Sequence, residues 1–290
     1  MAFRSAWSGT HLMFGSLLVF FLVMFMLLAA AGLLHLNPHL GQAGKQFSEA
    51  CCRAPLLDLI VGYFTIVPWI VGPVIAGWFG LLSAILAQMA TLLIWQSLHE
   101  ALHRDVARGP RIIKVLNENF GAFRNLTALY LTGFALPIFC LIRIAQVVVY
   151  PNLVRLVQFP SYEAADWINV SRQKFQGLVG HDLIWCLYCD WMTGVYALGA
   201  EMLRNVESFW CPIRFACEKK CANCARDFPD VNDGWVPASG NMTDVTVTLK
   251  RMYPTTRHVQ PWFGHPLRGA DPATRSANAE ATPAKQTSGF

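Results

Sequence analysis

Two long stretches without a charged side chain are the feature that most restricts how this chain can fold. Residues 5–44 contain no Asp, Glu, Lys or Arg, and residues 59–99 contain none either. A helix that crosses a bilayer needs about twenty apolar residues in succession, whereas the core of a soluble domain does not need uncharged stretches of twice that length. Charged residues make up only 14% of the chain, against about 25% in a typical soluble domain. The sequence therefore predicts a mainly α-helical integral membrane protein.

Four apolar runs are candidates for membrane-embedded helices, at residues 12–34, 55–76, 81–98 and 126–149. The second and third runs form a hairpin if "GWFG" at 77–80 is a tight turn, and Pro68 and Pro73 should kink its first arm. The fourth run contains Arg143, and it either crosses the membrane or turns back near Pro137. These runs predict a polytopic protein of three or four spans, one of them re-entrant in the second arrangement.

The composition changes after residue 150, which predicts three regions. Residues 1–150 form the transmembrane helical region, and residues 151–266 form an extramembrane domain rich in cysteine, tryptophan and turn residues. Residues 267–290 contain almost no large apolar side chains and are predicted to be disordered.

The distribution of basic residues indicates the partners and the orientation. The net charge is only +5, and the basic residues lie beside apolar runs rather than in a stripe with aromatics, so we expect a lipid bilayer and no nucleic acid as partner. Because the loop at 99–125 is basic, the positive-inside rule places it in the cytoplasm, and we expect a bacterial inner membrane. Thiols also stay reduced in the cytoplasm, which favours the same side for the cysteine-rich domain.

The nine cysteines are Cys51, Cys52, Cys140, Cys186, Cys189, Cys211, Cys217, Cys221 and Cys224. The last four lie within "CPIRFACEKKCANC", where the polar residues are suited to an exposed turn. An odd number of cysteines at short spacings is more typical of metal-binding thiolates than of a disulfide framework.

Two cysteine sets could bind the metal. The first is Cys211, Cys217, Cys221 and Cys224, and the second combines Cys186 and Cys189 with Cys221 and Cys224. Zinc is the expected metal, an iron–sulfur cluster is the second interpretation, and free thiols are the third. A bound metal would add order to a domain with a small core.

Two acidic residues lie on the helix predicted from residue 181. Glu201 follows Asp190 by close to a whole number of helical turns, so both carboxylates could share one face. The alternative is that these acids pair with Arg204 or Lys174.

A second candidate metal site begins with "HEALH", in which His99 and His103 lie four residues apart on one helical face. Residues 95–121 combine an apolar helix, this motif, a basic loop and "LNENFG", and they resemble the first histidine box of membrane fatty-acid desaturases and hydroxylases. In that family several such boxes hold two irons that activate oxygen against an acyl chain.

The resemblance implies an iron site at the membrane face, although the later histidine boxes are absent from this chain. The further candidate ligands of this second site are His181, Glu100, Asp190 and Glu201. The alternative is that His99 and His103 bond to loop carbonyls and lipid headgroups.

Two functions are therefore expected from the sequence. The first is a membrane-bound, metal-dependent oxidoreductase of the desaturase or hydroxylase type, acting on a lipid-like substrate. The second is a non-catalytic scaffold or assembly factor, in which zinc stabilises the cysteine-rich domain that docks a membrane protein partner.

Overall fold

A computed structural model describes residues 2–227 and 234–252, with side chains within 13–223 and 234–251. The described chain is mainly helical, and its only β-pairing consists of two isolated bridges, which confirms the predicted helical class. The predicted tail at 267–290 and the last part of the predicted domain, 253–266, lie outside these residues. The helices are α1 (Ala2–Leu36), α2 (Gly41–Cys51), α3 (Leu56–Leu102), α4 (Arg104–Arg108), α5 (Ile112–Phe120), α6 (Ala122–Thr132), α7 (Leu136–Val148), α8 (Tyr150–Val157), α9 (Ala164–Trp167), α10 (Gly180–Trp210), α11 (Glu218–Asp227) and α12 (Met242–Met252).

Within the described residues, three helical stretches are long and apolar enough to cross a membrane: Met13–His39, Leu56–Leu102 and Ala122–Val157. They contain the apolar runs found in the sequence. In the third stretch a 3-10 turn, Gly133–Ala135, separates α6 from α7, and the backbone stays right-handed helical at Gly133 and Leu136. Whether this stretch is re-entrant stays a prediction.

Helix α3 is a hairpin of two arms. The helical dihedral angles break at Ala76 and Gly77, where Gly77 has φ +56°, a value that glycine adopts readily. The turn therefore begins one residue before the predicted "GWFG". The arms approach so closely that a Cβ on Gly72 or Gly80 would collide with the backbone carbonyl of the other residue.

A polar clamp holds the two arms together. Pro68 has no N–H, so it leaves the carbonyl of Phe64 without its helical donor. Gln88 on the second arm donates from Nε2 to the Phe64 carbonyl at 2.7 Å, and its Oε1 accepts from Trp69 Nε1 at 2.8 Å. An unsatisfied carbonyl is costly in hydrocarbon, so this bond makes Pro68 tolerable in an apolar helix.

Helix α1 packs against the hairpin. Its buried face carries Val19, Val23 and Leu27, each at most 2% exposed, and these contact Ala84 and Ala87 of the second arm. Tyr63 on the first arm donates to the carbonyl of Met26 at 3.3 Å. Large residues on α1 against alanines on α3 allow close approach of the helices.

By packing, the chain divides into two units that differ from the regions predicted by composition. Unit 1 comprises Met1–Phe139 and Glu163–Val195, whereas unit 2 comprises residues 140–162 and the chain from residue 196. Residues 163–195 therefore pack with the N-terminal helices, and the boundary between the units falls inside α10. The predicted membrane boundary near residue 150 stays a prediction.

Unit 2 has a core with hydrogen-bonded polar groups. Tyr150 and Phe159 are buried, and Asn205 donates from Nδ2 to the hydroxyls of Tyr150 and Tyr162 at 3.1 and 2.6 Å. The cysteine segment follows α10 and is tied to this unit by a parallel bridge between Ile213 and Val236.

Candidate functional site

Four imidazoles lie together at one end of unit 1. The last turn of α1 carries His35, the following 3-10 turn carries His39, and the end of α3 carries His99 and His103. The ring centre of His35 lies 6.1 Å from that of His39, 5.9 Å from that of His99 and 6.4 Å from that of His103, and the centres of His99 and His103 are 4.4 Å apart. We call these four residues the histidine cluster.

Hydrogen bonds to the backbone fix the roles of two of these rings. His99 Nδ1 accepts from the N–H of Gly180 at 3.1 Å, because a backbone nitrogen can only donate. His103 Nδ1 donates to the carbonyl of His99 at 2.9 Å, because a carbonyl can only accept. The two neighbouring histidines therefore take opposite tautomers when neutral.

A buried ion-pair network lies beside the histidine cluster. Arg111 donates from Nε to Asp182 Oδ2 at 2.7 Å and from Nη2 to Glu100 Oε1 at 2.9 Å. The side chains of Arg111 and Asp182 are only 4% exposed. The sequence placed Arg111 among the basic residues of a cytoplasmic loop, but its charge is neutralised inside unit 1.

The network shifts the pKa of its members. Burial alone would lower the pKa of Arg111, but hydrogen bonds to Glu100 and Asp182 outweigh burial and raise it. Burial alone would raise the pKa of Asp182, but hydrogen bonds from His181 and Arg111 outweigh burial and lower it. Arg111 and Asp182 are therefore both charged near neutral pH.

The same end of α3 caps the N-terminus of α10. Gly180 donates its N–H to His99, and His181 donates its N–H to Glu100 Oε1 at 3.2 Å. The first N–H groups of a helix have no partner within the helix, and an acidic side chain there is also favoured by the helix dipole. Neighbouring residues of α3 thus satisfy neighbouring donors of α10.

The remaining residues of the predicted histidine site have other described partners. His181 is buried, and its Nδ1 lies 3.5 Å from Asp182 Oδ1. Asp190 accepts from the N–H of Ser171 at 2.7 Å, and Glu201 belongs to unit 2, where it accepts from Tyr162 at 3.0 Å. The expected pairing of these acids with Arg204 or Lys174 stays a prediction.

The six cysteines predicted as ligands lie in both units. Cys186 and Cys189 are on α10 in unit 1, near Arg172, and burial raises the pKa of Cys186. Cys211 and Cys217 are exposed in unit 2. The alternative set that joins Cys186 and Cys189 with Cys221 and Cys224 draws on both units and stays a prediction.

The predicted turn around Cys221 is a helix. Cys221 and Cys224 lie three positions apart on α11, and Cys221 is buried with Arg214 Nη2 at 3.5 Å from its sulfur. The side chain of Cys224 lies outside the described residues. The cysteine metal site therefore stays a prediction.

Imidazole is a common transition-metal ligand, but the spacing of the rings in the histidine cluster does not form a metal site as the rings stand. Among the described side chains, no three His, Cys, Asp or Glu residues are arranged to hold one metal ion as they stand. A metal about 2.1 Å from a ring nitrogen lies about 3.2 Å from the ring centre, so two rings on a tetrahedral ion have centres about 5.2 Å apart. The ring-centre distances measured from His35 exceed this separation, so the rings would have to move before they could share one ion.

Sequence reasoning missed His35, His39 and the role of Arg111. The missed signal was "HLNPH", which repeats the four-residue spacing of "HEALH" and likewise follows an apolar run. The burial of Arg111 had no signal in the sequence, because Arg104 and Arg108 in the same loop are exposed. No family model, curated protein or solved structure matches this chain.

Proposed function

We propose that this chain is a polytopic integral membrane protein and a metal-dependent oxidoreductase acting on a lipid-like substrate. The observation that carries the proposal is the convergence of imidazoles from the ends of two candidate spans, Met13–His39 and Leu56–Leu102. Imidazole suits iron, copper and zinc. A metal held at the end of apolar helices would meet substrate at the membrane boundary.

The exposed side chains of the candidate spans support membrane insertion. Phe14 and Phe25 on α1 are 73% and 70% exposed, and Val74 and Trp78 at the hairpin turn are 79% and 70% exposed. Apolar surface of this kind is a liability in water and is expected where lipid covers it. The proposed membrane is the bacterial inner membrane, with the loop at 99–125 on the cytoplasmic side.

An apolar groove in unit 1 supports a lipid-like substrate. The groove measures about 350 Å³ and is lined by α6 and the following 3-10 turn, with Phe123, Leu126, Thr127, Tyr130, Leu131 and Phe134 as lining residues. The ring of Tyr130 lies 5.3 Å from that of Trp185, and Trp185 lies 6.3 Å from the ring of His181. An acyl chain is the kind of ligand that such a surface would hold.

The proposed reaction is the oxidation of a C–H bond by dioxygen. One oxygen atom enters the substrate as a hydroxyl and the other leaves as water, with two electrons and two protons supplied by an external reductant. A bound iron or copper ion would activate dioxygen. Glu100, Arg111 and Asp182 would hold the ends of α3 and α10 in fixed positions around the ligands.

The experiment is metal analysis and turnover of the protein purified in detergent. Bound iron or copper, and dioxygen-dependent hydroxylation of an acyl lipid detected by mass spectrometry, are the expected results. The double variant His35→Asn/His103→Asn should lose both, whereas Asn119→Ala, on the exposed part of α5, should lose neither. Metal-loaded protein that oxidises no acyl lipid in the presence of a reductant would contradict the oxidoreductase proposal.

The cysteine segment supports a second proposal, that of a zinc-stabilised scaffold docking a membrane protein partner. The observation that favours it is the short spacing of Cys217, which directly precedes α11, and of Cys221 and Cys224, which lie on α11. Stoichiometric zinc with no visible absorption band, together with the absence of lipid oxidation, would favour this second proposal.

A further inference from the structure

We infer that helix α5 lies along the membrane surface, with its apolar face in the lipid, and that Arg104 and Arg108 of the adjoining helix α4 bind anionic lipid headgroups. The inference rests on the membrane insertion that is part of the proposed function, and on neither a metal nor an oxidation. It assigns a lipid partner to the connection between two candidate spans.

Helices α4 and α5 connect two stretches that could cross a membrane. The stretch Leu56–Leu102 ends next to α4, and the stretch Ala122–Val157 begins directly after α5. Because each of these stretches is long and apolar enough to cross a bilayer, the short connection between them begins and ends at one membrane surface. A segment at this depth can contact both hydrocarbon and headgroups.

Helix α5 is amphipathic, and its apolar face is exposed. Ile112, Val115, Leu116 and Phe120 lie within about 140° of one another around the helix axis, whereas Glu118 lies on the opposite side. The side chains of Val115 and Phe120 are 53% and 64% exposed. A short amphipathic helix owes its stability mainly to burial of its apolar face, and the described part of the chain leaves this face open.

Polar bonds fix the position of α5 at both of its ends. The N–H of Ile113 donates to Asp182 Oδ1 at 3.2 Å, beside the buried pair of Arg111 and Asp182. At the other end, Asn125 Nδ2 donates to Asn117 Oδ1 at 2.8 Å, which ties α5 to α6. These bonds use the backbone and the polar side of α5, so they hold the helix while its apolar face stays free to contact lipid.

The helix breaks at Gly121, between α5 and the candidate span that begins with α6. Gly121 has φ +84°, a value that glycine adopts readily and that strains other residues. Phe120 and Phe123, on either side of this break, are both exposed. A helix on the membrane surface needs a break of this kind where the chain turns into the bilayer, and exposed aromatic rings are typical of the apolar face of such helices.

Three guanidinium groups supply positive charge beside this helix. Arg104 and Arg108 lie four positions apart on one face of α4, and Arg124 lies in the first turn of α6. Within the described residues, none of these side chains forms a hydrogen bond or an ion pair, and all three are exposed. Exposed Lys and Arg outnumber the exposed acids Asp105 and Glu118 between residues 103 and 124.

Lys114 joins α4 to α5. Its Nζ donates to the carbonyls of Ala107, Arg108 and Gly109 at 3.3, 3.2 and 3.1 Å. The last carbonyls of a helix have no partner within the helix, so these bonds stabilise the end of α4 and place Arg108 beside α5. Apolar side chains next to free arginines are the combination that binds an anionic leaflet, because hydrocarbon covers the first and phosphate pairs with the second.

The first experiment measures what covers α5. A fluorescent amino acid replaces Phe120 or, as a matched control on the opposite side of the same helix, Glu118. Full-length protein in bilayers of phosphatidylcholine and phosphatidylglycerol is exposed to nitroxide-labelled lipid and to aqueous iodide. The label at Phe120 should be quenched by the lipid, and the label at Glu118 by iodide. Quenching of both labels by iodide would overturn the inference, as would shielding of the Phe120 label from both quenchers by a protein partner or a second copy.

The second experiment measures headgroup recognition. Phosphatidylglycerol and phosphatidylcholine are titrated separately into the detergent-solubilised protein, and bound lipid is counted by native mass spectrometry. Arg104→Gln/Arg108→Gln should bind phosphatidylglycerol about 20-fold more weakly, since each basic side chain near an anionic surface contributes about fivefold in affinity. The control, Lys250→Gln/Arg251→Gln, removes two exposed charges from α12 and should bind it unchanged.

Binding of phosphatidylcholine should be the same in all three proteins. Equal affinity of the two double variants for phosphatidylglycerol would overturn the headgroup assignment. Absence of lipid oxidation would contradict only the proposed reaction, whereas a chain that stays in solution without detergent would contradict both this inference and the proposed membrane insertion.

Discussion

The histidine cluster of unit 1 and the cysteine segment of unit 2 form in different ways. The four cysteines of residues 211–224 are close in sequence, whereas His35 reaches His103 only through the packing of α1 on the α3 hairpin. The cysteine motif was the stronger signal in the sequence. The histidine cluster is held by more described contacts, because buried polar groups lie beside it and hydrogen-bond to its elements.

A site built from residues far apart in sequence needs tertiary contacts to hold those residues together. A cluster assembled from distant segments depends on every contact that fixes those segments, here the α1–α3 core and the ion-pair network of Arg111. A site within one short segment depends mainly on local backbone. Changes to the buried network should therefore affect the histidines and leave the cysteines unaffected.

The largest effect is expected for Arg111→Met. This change leaves Asp182 buried without its partner, and loss of one member of a buried ion pair costs about 3–5 kcal/mol. The free energy of unfolding in detergent should fall by that amount, and Co²⁺ binding by the histidines should be lost. Arg108→Met, at an exposed position of the preceding helix α4, is the control and should change the unfolding free energy by less than about 0.5 kcal/mol.

Two single variants should show whether the histidines and the cysteines bind separate metals. Cys221→Ser should release zinc from the cysteine segment and lower its thermal stability without changing Co²⁺ binding by the histidines. His103→Asn should weaken Co²⁺ binding by the histidines without releasing zinc from the cysteine segment. Metal analysis of both variants beside Cys140→Ser checks this, and one shared metal lost in both variants would contradict the existence of two sites.

A smaller effect on stability is expected from changes to the polar clamp between the two arms of α3. Gln88→Leu leaves the Phe64 carbonyl without a donor and should cost about 1–3 kcal/mol of unfolding free energy. Pro68→Ala supplies a helical N–H to that carbonyl, so the double variant should be less destabilised than Gln88→Leu alone. Ser97→Ala, which removes a bond within one exposed helical turn, is the control.

The smallest effect is expected from acid. The pKa of Asp182 is below its ordinary value, because hydrogen bonds from His181 and Arg111 outweigh burial, so its stabilising contribution is complete above about pH 4. The contribution is lost as the pH falls through the lowered pKa. Thermal unfolding should be unaffected by Asp182 between pH 7 and about pH 4, with a fall below that range that is absent in Asp182→Asn and retained in Asp105→Asn.

Part of the candidate site could be predicted from sequence. The four-residue spacing of His99 and His103 placed both rings at the end of an apolar helix, because helical periodicity is local information. Asp190 and Glu201 were grouped with them by the same periodicity, and that interpretation stays a prediction. Asp190 bonds to Ser171 and Glu201 to Tyr162, and periodicity contains no information about such partners.

The sequence by itself determined the helical class, the three long apolar stretches and the hairpin turn near Gly77, because charge content, hydrophobic runs and glycine act locally. Only the tertiary structure decided that His35 joins His103, that Arg111 is buried while Arg108 is exposed, and that His99 caps α10. These outcomes depend on which distant surfaces pack together. A side chain's partners are then set by the geometry of that packing rather than by its neighbours in the chain.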